Sequence, residues 1–397
     1  MKQSGVFNAL PIERVVFGRN AAEVLPDELA RLSRNRAFLL VSETLRTTTD
    51  EIAMIERALG DVCAGVFAGM PSHTPRTAVI ASSNAAREAN ADIVITIGGG
   101  SVTDAGKMMQ LCLEHGVDNP DALDHYVTRV DNQGQVTQPE IRAPRVRQIA
   151  VPTTLSGGEF GMSAGCTDTR RGIKQAFRHP LHVPQVVVLD PRLARHTPTD
   201  LWLSSGVRAI DHAVETICSP LATAHSDGPA LQALRLLTRA LPKCAGLNHS
   251  SEPPGDAARL DCQLGVWASM DHHQDGTPMG ASHGIGHVLG GTCAVGHGHT
   301  SCVMLPSVLR WNHSQNAHRQ ALVSEAFGRP GVPAGDVVSA FIAELGMPQT
   351  LKEVGVSPEQ FARIAELAMH DRYIHHNPRP IRGPEDVLEI LQLAAGP

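Results

Sequence analysis

Aromatic residues are scarce in this chain, only 4% of its 397 residues. An all-β sandwich or barrel fits that composition poorly, and helix-rich α/β packing fits it well. The eight cysteines, at 63, 112, 166, 218, 244, 262, 293 and 302, include no Cys-x-x-Cys pair. Their spacing suits neither a disulfide scaffold nor a structural zinc site, so they read as small buried apolar residues. No apolar run reaches eighteen residues and no apolar leader opens the chain, so a cytoplasmic protein without membrane contact is expected. Basic tracts are also missing. With 34 basic against 40 acidic side chains the net charge is −6, and nucleic acid is not an expected partner.

What is present is a globular composition, 42% hydrophobic and 19% charged, in a chain long enough for two cores. In the first half, short apolar runs at 36–42, 91–97, 147–151 and 185–190 read as strands. A helix over 78–90 and another beginning near Thr103 separate them. Near-continuous apolar strands alternating with helices predict a parallel sheet covered on both faces. From Pro191 onward helices dominate, at 200–219, 228–245, 255–270, 314–326, 337–345 and 358–369. The expected organisation is an α/β dinucleotide-binding domain over 1–190 and an all-helical domain over 191–397. The polar stretch 116–147, with Asn132-Gln133-Gly134, reads as an excursion from the first.

Two segments carry chemistry. Gly98-Gly99-Gly100-Ser101 joins a strand to a helix, where glycines let the backbone approach an anion and free N–H groups attract it. It is neither a GxGxxG fingerprint nor a P-loop, and a ligand-free tight turn is the plain alternative. Asp104 and Lys107 follow, readable as a helix cap and a surface charge. The second segment holds His283 and His287, four apart and hence on one helical face, with His297 ten residues on. Three imidazoles so placed suit a divalent metal or proton relay at a carbonyl, or are ordinary members of a set of twenty histidines.

The chain resembles the iron-containing (group III) alcohol dehydrogenases. The resemblance runs through Phe17-Gly18, the segment from Gly98 to Asp104 and Lys107, Val151 to Glu159 with Thr153-Thr154, Gly206 to Glu215, and the histidine segment. His376-Asn377-Pro378-Arg379-Pro380-Ile381, Leu289 to Thr292 and Leu305-Pro306 resemble the maleylacetate reductase branch. The resemblance implies an N-terminal domain with a Rossmann-like parallel sheet and an all-α C-terminal domain, the dehydroquinate synthase-like fold. It also implies a nicotinamide cofactor in the cleft between the domains.

By the same resemblance the pyrophosphate would rest on Gly98, Gly99 and Ser101, near Asp104. Thr153 and Thr154 would touch the cofactor, Leu155 would pack near the nicotinamide, and Lys174 would approach its ribose or be a surface charge of a hairpin after Arg170-Arg171-Gly172. Glu43, where family members often carry an acid, would accept from a ribose 2′-OH and repel a 2′-phosphate, favouring NADH over NADPH. A helix-terminal acid is the alternative. Metal-dependent members hold iron or zinc with one Asp and three His, matched here by His212, His283 and His297, with His287 as the additional active-site histidine. The Asp position is Arg208. A guanidinium cannot ligate a cation, so Fe2+ or Zn2+ is not expected to be required. Arg208 would supply what the metal supplies elsewhere, or else pair with Asp211 or Glu215. Asp211, next to His212, should project about 100° away on a helix and not replace the ligand. One of His272 and His273 could border the site, while His375 and His376 read as structural or surface residues.

The expected enzyme is an NADH-dependent reductase passing hydride to the oxo group of a small carboxylic acid, as in maleylacetate to 3-oxoadipate in aromatic degradation. A homodimer or larger assembly is implied. The alternatives are a metal-dependent alcohol or aldehyde dehydrogenase of the same family, a non-redox lyase using NAD transiently, and a cofactor-binding protein without catalysis.

Overall fold

The computed structural model describes residues 4–130, 136–247 and 255–396. Asn132-Gln133-Gly134 of the expected excursion lies outside them. The chain divides into two compact units, one of Leu10–Arg129 with Val136–Thr197, the other built on Pro198–Pro397.

The first unit is a six-stranded parallel sheet. Its strands lie in the order Arg14–Phe17, Val186–Leu189, Arg147–Pro152, Ile93–Gly98, Ala37–Val41, Cys63–Ala68. Ala37–Val41 and Ile93–Gly98 are buried at every residue, which is why they read as unbroken apolar runs. Successive side chains go to opposite faces. Leu39, Val41, Ile93, Ile95 and Ile97 join one core with helices Ala21–Arg31 and Glu51–Leu59. Phe38, Leu40 and Val94 join the other with helices Arg76–Glu88 and Gly100–His115. On that second face Thr96 is polar, and Gln148 donates to its hydroxyl at 2.7 Å. Gly106 of the overlying helix sits directly on this pair, and a Cβ there would collide with both side chains.

The sheet's connections leave Ala37–Val41 and Ile93–Gly98, which are neighbours, toward opposite edges. Such a switch point opens a crevice beyond the carboxyl ends of the two strands. The residues there are Glu43 and the glycine turn. The expected strands are present. The edge strands Arg14–Phe17 and Cys63–Ala68 were not foreseen; the antiparallel hairpin Ser163–Asp168/Ile173–Arg178 is the one that the alternative reading of Lys174 supposed. The hairpin strands are partly polar and lack an apolar run, whereas Cys63–Ala68 is a short apolar run that is half-buried throughout.

The second unit is helical. Thr199–Cys218 is buried from Trp202 to its end, as a helix surrounded by others must be. Helix Ala224–Cys244 starts four residues before the expected 228, because Thr223 and Ser226 form a capping box. The expected 314–326 helix is the second half of His297–Ala326, which breaks its geometry at Asn316. Ala281–Thr292 buries Ile285 and Leu289 against Val303, Met304 and Val308, leaving His283 and His287 on another face. No helix among the described residues is long and apolar enough to cross a membrane.

Candidate active site

In the sheet unit Glu43 and the glycine turn follow the two neighbouring strands of the switch point. Glu43 opens the short helix Glu43–Thr48, and its Oε2 would lie 3.6 Å from a Cβ on Gly69. The helix after the glycine turn starts at Gly100, not near Thr103, with Gly99 as its cap. The turn packs on the Thr153–Ser156 segment: Thr153 N–H donates to the Gly98 carbonyl at 3.0 Å, and a Cβ on Gly99 would stand 3.0 Å from Thr154 Cγ2. Ser101 Oγ accepts from His73 N–H.

Asp104 is inside the helix, not a cap, and accepts from Gly165 N–H of the hairpin at 3.0 Å. Lys107 is no surface charge: it is fully buried and donates to the carbonyls of Gly158 and Ser163 at 2.6 and 2.9 Å. Burial lowers its pKa, and Asp104 and Glu159 oppose that. The Lys174 side chain passes over Gly165, where a Cβ would strike it. Leu155 is packed away from any surface.

The helical unit holds the second constellation. Thr199–Cys218 is buried all round, so Arg208, Asp211, His212 and Glu215 are interior wherever they point. Arg208 Nη1 donates to Ser301 Oγ at 3.1 Å and lies 3.8 Å from Asp211 Oδ2. Asp211 Oδ2 also accepts from the hydroxyls of Ser301 and Ser282, at 2.6 and 2.8 Å. Asp211 therefore lies beside Arg208, as the alternative reading of that guanidinium had it, with the pair turned inward and not outward. Neighbouring helices pack against that flank as well.

His283 Nδ1 stands 2.7 Å from Glu215 Oε2 and 3.5 Å from Asp211 Oδ2. Glu215 in turn accepts the backbone N–H groups of Gly280 and Ser282. One turn on, His287 Nδ1 is 2.8 Å from Asp371 Oδ2. The result is two acid–imidazole pairs on one helix, their rings 6.4 Å apart and both against Tyr373. The His212 ring lies 4.7 Å from that of His283 and 5.9 Å from that of His272. His272 is thus the member of its pair that joins, while His375 and His376 are exposed. His297 opens its helix against Gly290. Among the described residues, His212 Nδ1 and His283 Nε2 are buried without a hydrogen-bond partner.

Burial, with Arg208 next in weight, holds His212 and His283 well below the usual imidazole range, so both are neutral. Burial also raises the two acids. Asp211 is pushed to about 6 against the pull of Arg208. Glu215 is pushed to about 8 by burial and Asp211, against the N–H groups of Gly280 and Ser282.

The set whose ligand atoms all lie within 4.8 Å of one another, among the described residues, is Asp211, Glu215 and His283. It is not the expected His212, His283 and His297. It does not fit a divalent cation. A guanidinium stands 3.8 Å from one carboxylate, and the imidazole nitrogen facing both acids is engaged with Glu215. Asp371, Tyr373 and Ser301 were not singled out in the sequence, and Ser282 and Asn377 stood in runs that were singled out without a role of their own. Their contacts span 65 to 96 residues, and no short spacing encodes them.

Two family profiles cover the chain. Iron-containing alcohol dehydrogenase matches residues 12–191, and the C-terminal domain of the Fe-containing alcohol dehydrogenase family matches 202–395. The chain is 34% identical to dehydrogenase ALT3 of Alternaria alternata, over 90% of this chain and 98% of that one. It is 32% identical to the maleylacetate reductase of Rhizobium sp. strain MTP-10005, over 96% and 94%. The crystal structure of maleylacetate reductase from that strain superposes with a TM-score of 0.81, at 28% identity and 99% coverage of both chains. With its parallel sheet, its helical second unit and these relatives, the chain belongs to the iron-containing alcohol dehydrogenase family, in the maleylacetate reductase branch, and is an oxidoreductase.

Proposed function

We propose that the chain is an NADH-dependent reductase of a small unsaturated oxo acid, with maleylacetate to 3-oxoadipate as the reaction. The oxo group survives that conversion, so the hydride goes not to it, as first expected, but to the alkene carbon β to it. The electron pair moves onto the oxo oxygen as an enolate, and a proton then returns to the α carbon. Two needs follow: a cation facing the oxyanion, and an acid near the α carbon.

The observation that carries the reading is Arg208, buried where metal-dependent relatives place an Asp ligand and held by Ser301 and Asp211. A fixed guanidinium stabilises an enolate oxygen or a carboxylate without a metal. His287, half exposed and paired with Asp371, is the proton donor of this scheme. Neutral His283 and His212 present buried nitrogens for orienting the substrate. In the sheet unit Glu43 accepts the ribose hydroxyl and the turn of Gly98, Gly99 and Ser101 cradles the pyrophosphate.

The metal-dependent alcohol dehydrogenase remains the rival, favoured by the two unpartnered nitrogens of His212 and His283. Steady-state rates with maleylacetate and with simple alcohols, each using NADH or NAD, separate the two substrate classes. The proposal expects oxo-acid reduction to exceed alcohol oxidation by orders of magnitude, and the reverse ranking overturns it.

A further inference from the structure

Helix Ala281–Thr292 carries both His283 and His287, yet its own cap is Gly280, which has no side chain to offer. Its first N–H groups are buried and must be satisfied from elsewhere. Glu215, on helix Thr199–Cys218, accepts Gly280 N–H on Oε2 at 3.0 Å and Ser282 N–H on Oε1 at 2.9 Å. Asn377 accepts Ala281 N–H on Oδ1 at 3.3 Å. Asn377 is itself fixed by a reciprocal amide pair with Asn312, at 2.7 and 3.0 Å, and donates to the Arg379 carbonyl at 2.7 Å. The Asn377-Pro378-Arg379 run thus acts on the site through the helix start. Gly280 admits this: a Cβ there would lie 3.0 Å from Glu215 Oε1 and 3.2 Å from Asn377 Oδ1.

We propose that Glu215 is the positioning residue of His283, fixing its tautomer as well as the start of its helix. In its ionised form, which the N–H groups of Gly280 and Ser282 favour, Glu215 accepts on both oxygens, and the imidazole completes the set by donating its Nδ1–H at 2.7 Å. His283 Nε2 is then the lone-pair nitrogen and is aimed away from the acid. It is buried without a partner among the described residues, and so is kept for a hydroxyl or enol of the bound substrate. Asn377, with Asn312 behind it, holds the same helix start from the other side. The consequence for the reaction rests on the function proposed above; the tautomer does not.

The test is nitrogen-15 NMR of the imidazoles in the intact protein, with the His283 signal assigned through His283→Gln. At pH 9, above the raised Glu215 pKa of about 8, the wild type is expected to show a protonated Nδ1 and an unprotonated Nε2. In Glu215→Gln the amide offers a donor where the carboxylate accepted, and the tautomer reverses. With it kcat for the oxo acid falls on the order of 10²-fold, while KM for NADH stays within about threefold. A wild-type ring protonated on Nε2 overturns the proposal without recourse to any variant, and so does a Glu215→Gln ring that keeps its tautomer. A reversed tautomer with kcat unchanged leaves Glu215 in its role and removes His283 from the reaction.

Discussion

A buried charge pair stands beside the histidines of the helical unit. Arg208 and Asp211 are both interior, share Ser301, and stand 3.8 Å apart. Arg208→Met is expected to destabilise the fold by about 3–5 kcal/mol in urea titrations, because Asp211 then stays buried without its cation. Arg208→Met with Asp211→Asn should recover much of that stability but not the activity, which separates folding from chemistry. The sequence announced Arg208 as an anomaly and offered Asp211 as one of its two candidate partners, but not Ser301 and Ser282, since a helical-wheel argument sees one helix and not its neighbours.

A second residue-scale prediction concerns His182, buried with both ring nitrogens unpartnered among the described residues. Burial, with His179 next, pushes its pKa down to about 3. The unfolded chain therefore binds a proton near pH 6.5 that the folded chain refuses until about pH 3. Stability is full above 6.5 and is lost as pH falls through that window, by about 2 kcal/mol at pH 5. His182→Leu should flatten the decline in melting temperature between pH 7 and 5, and an unchanged slope would contradict the assignment.

Among the elements, the central strands were legible because burial on both faces leaves only apolar residues in them. The hairpin strands were not, for the opposite reason: Ile173–Arg178 is exposed or half-buried except at Phe177 and carries two basic side chains. Helix starts were misread where a cap outside the apolar pattern set them, as Thr223 does for Ala224–Cys244. The contact between Thr199–Cys218 and His297–Ala326 depends on Gly298, where a Cβ would lie 2.5 Å from the Ser204 carbonyl. Gly298→Ala is expected to cost about 1–3 kcal/mol by overpacking and to lower kcat, because it pushes Ser301 away from Arg208. A variant of wild-type melting temperature would contradict that packing.

On the scale of the whole molecule, chain order places the strand followed by Glu43 beside the strand followed by the glycine turn. The order of strands, not any one motif, makes the crevice, which is why Gly98-Gly99-Gly100-Ser101 alone was ambiguous. Glu43→Gln should raise NADPH use relative to NADH by about tenfold or more, read as the ratio of kcat/KM values, since an anion no longer faces the 2′-phosphate. An unaltered ratio would assign Glu43 to the helix terminus alone. The fold was legible from the pattern of apolar runs and glycines. The chemistry was legible only as candidates, because its partners meet through tertiary contacts. The measurement that bears most directly on the account is NADH oxidation on adding maleylacetate to protein stripped with a chelator, with metal content assayed in the same sample. Turnover undiminished by stripping is the predicted result, with Arg208 in the cation's place; turnover that returns only with added iron or zinc would contradict it.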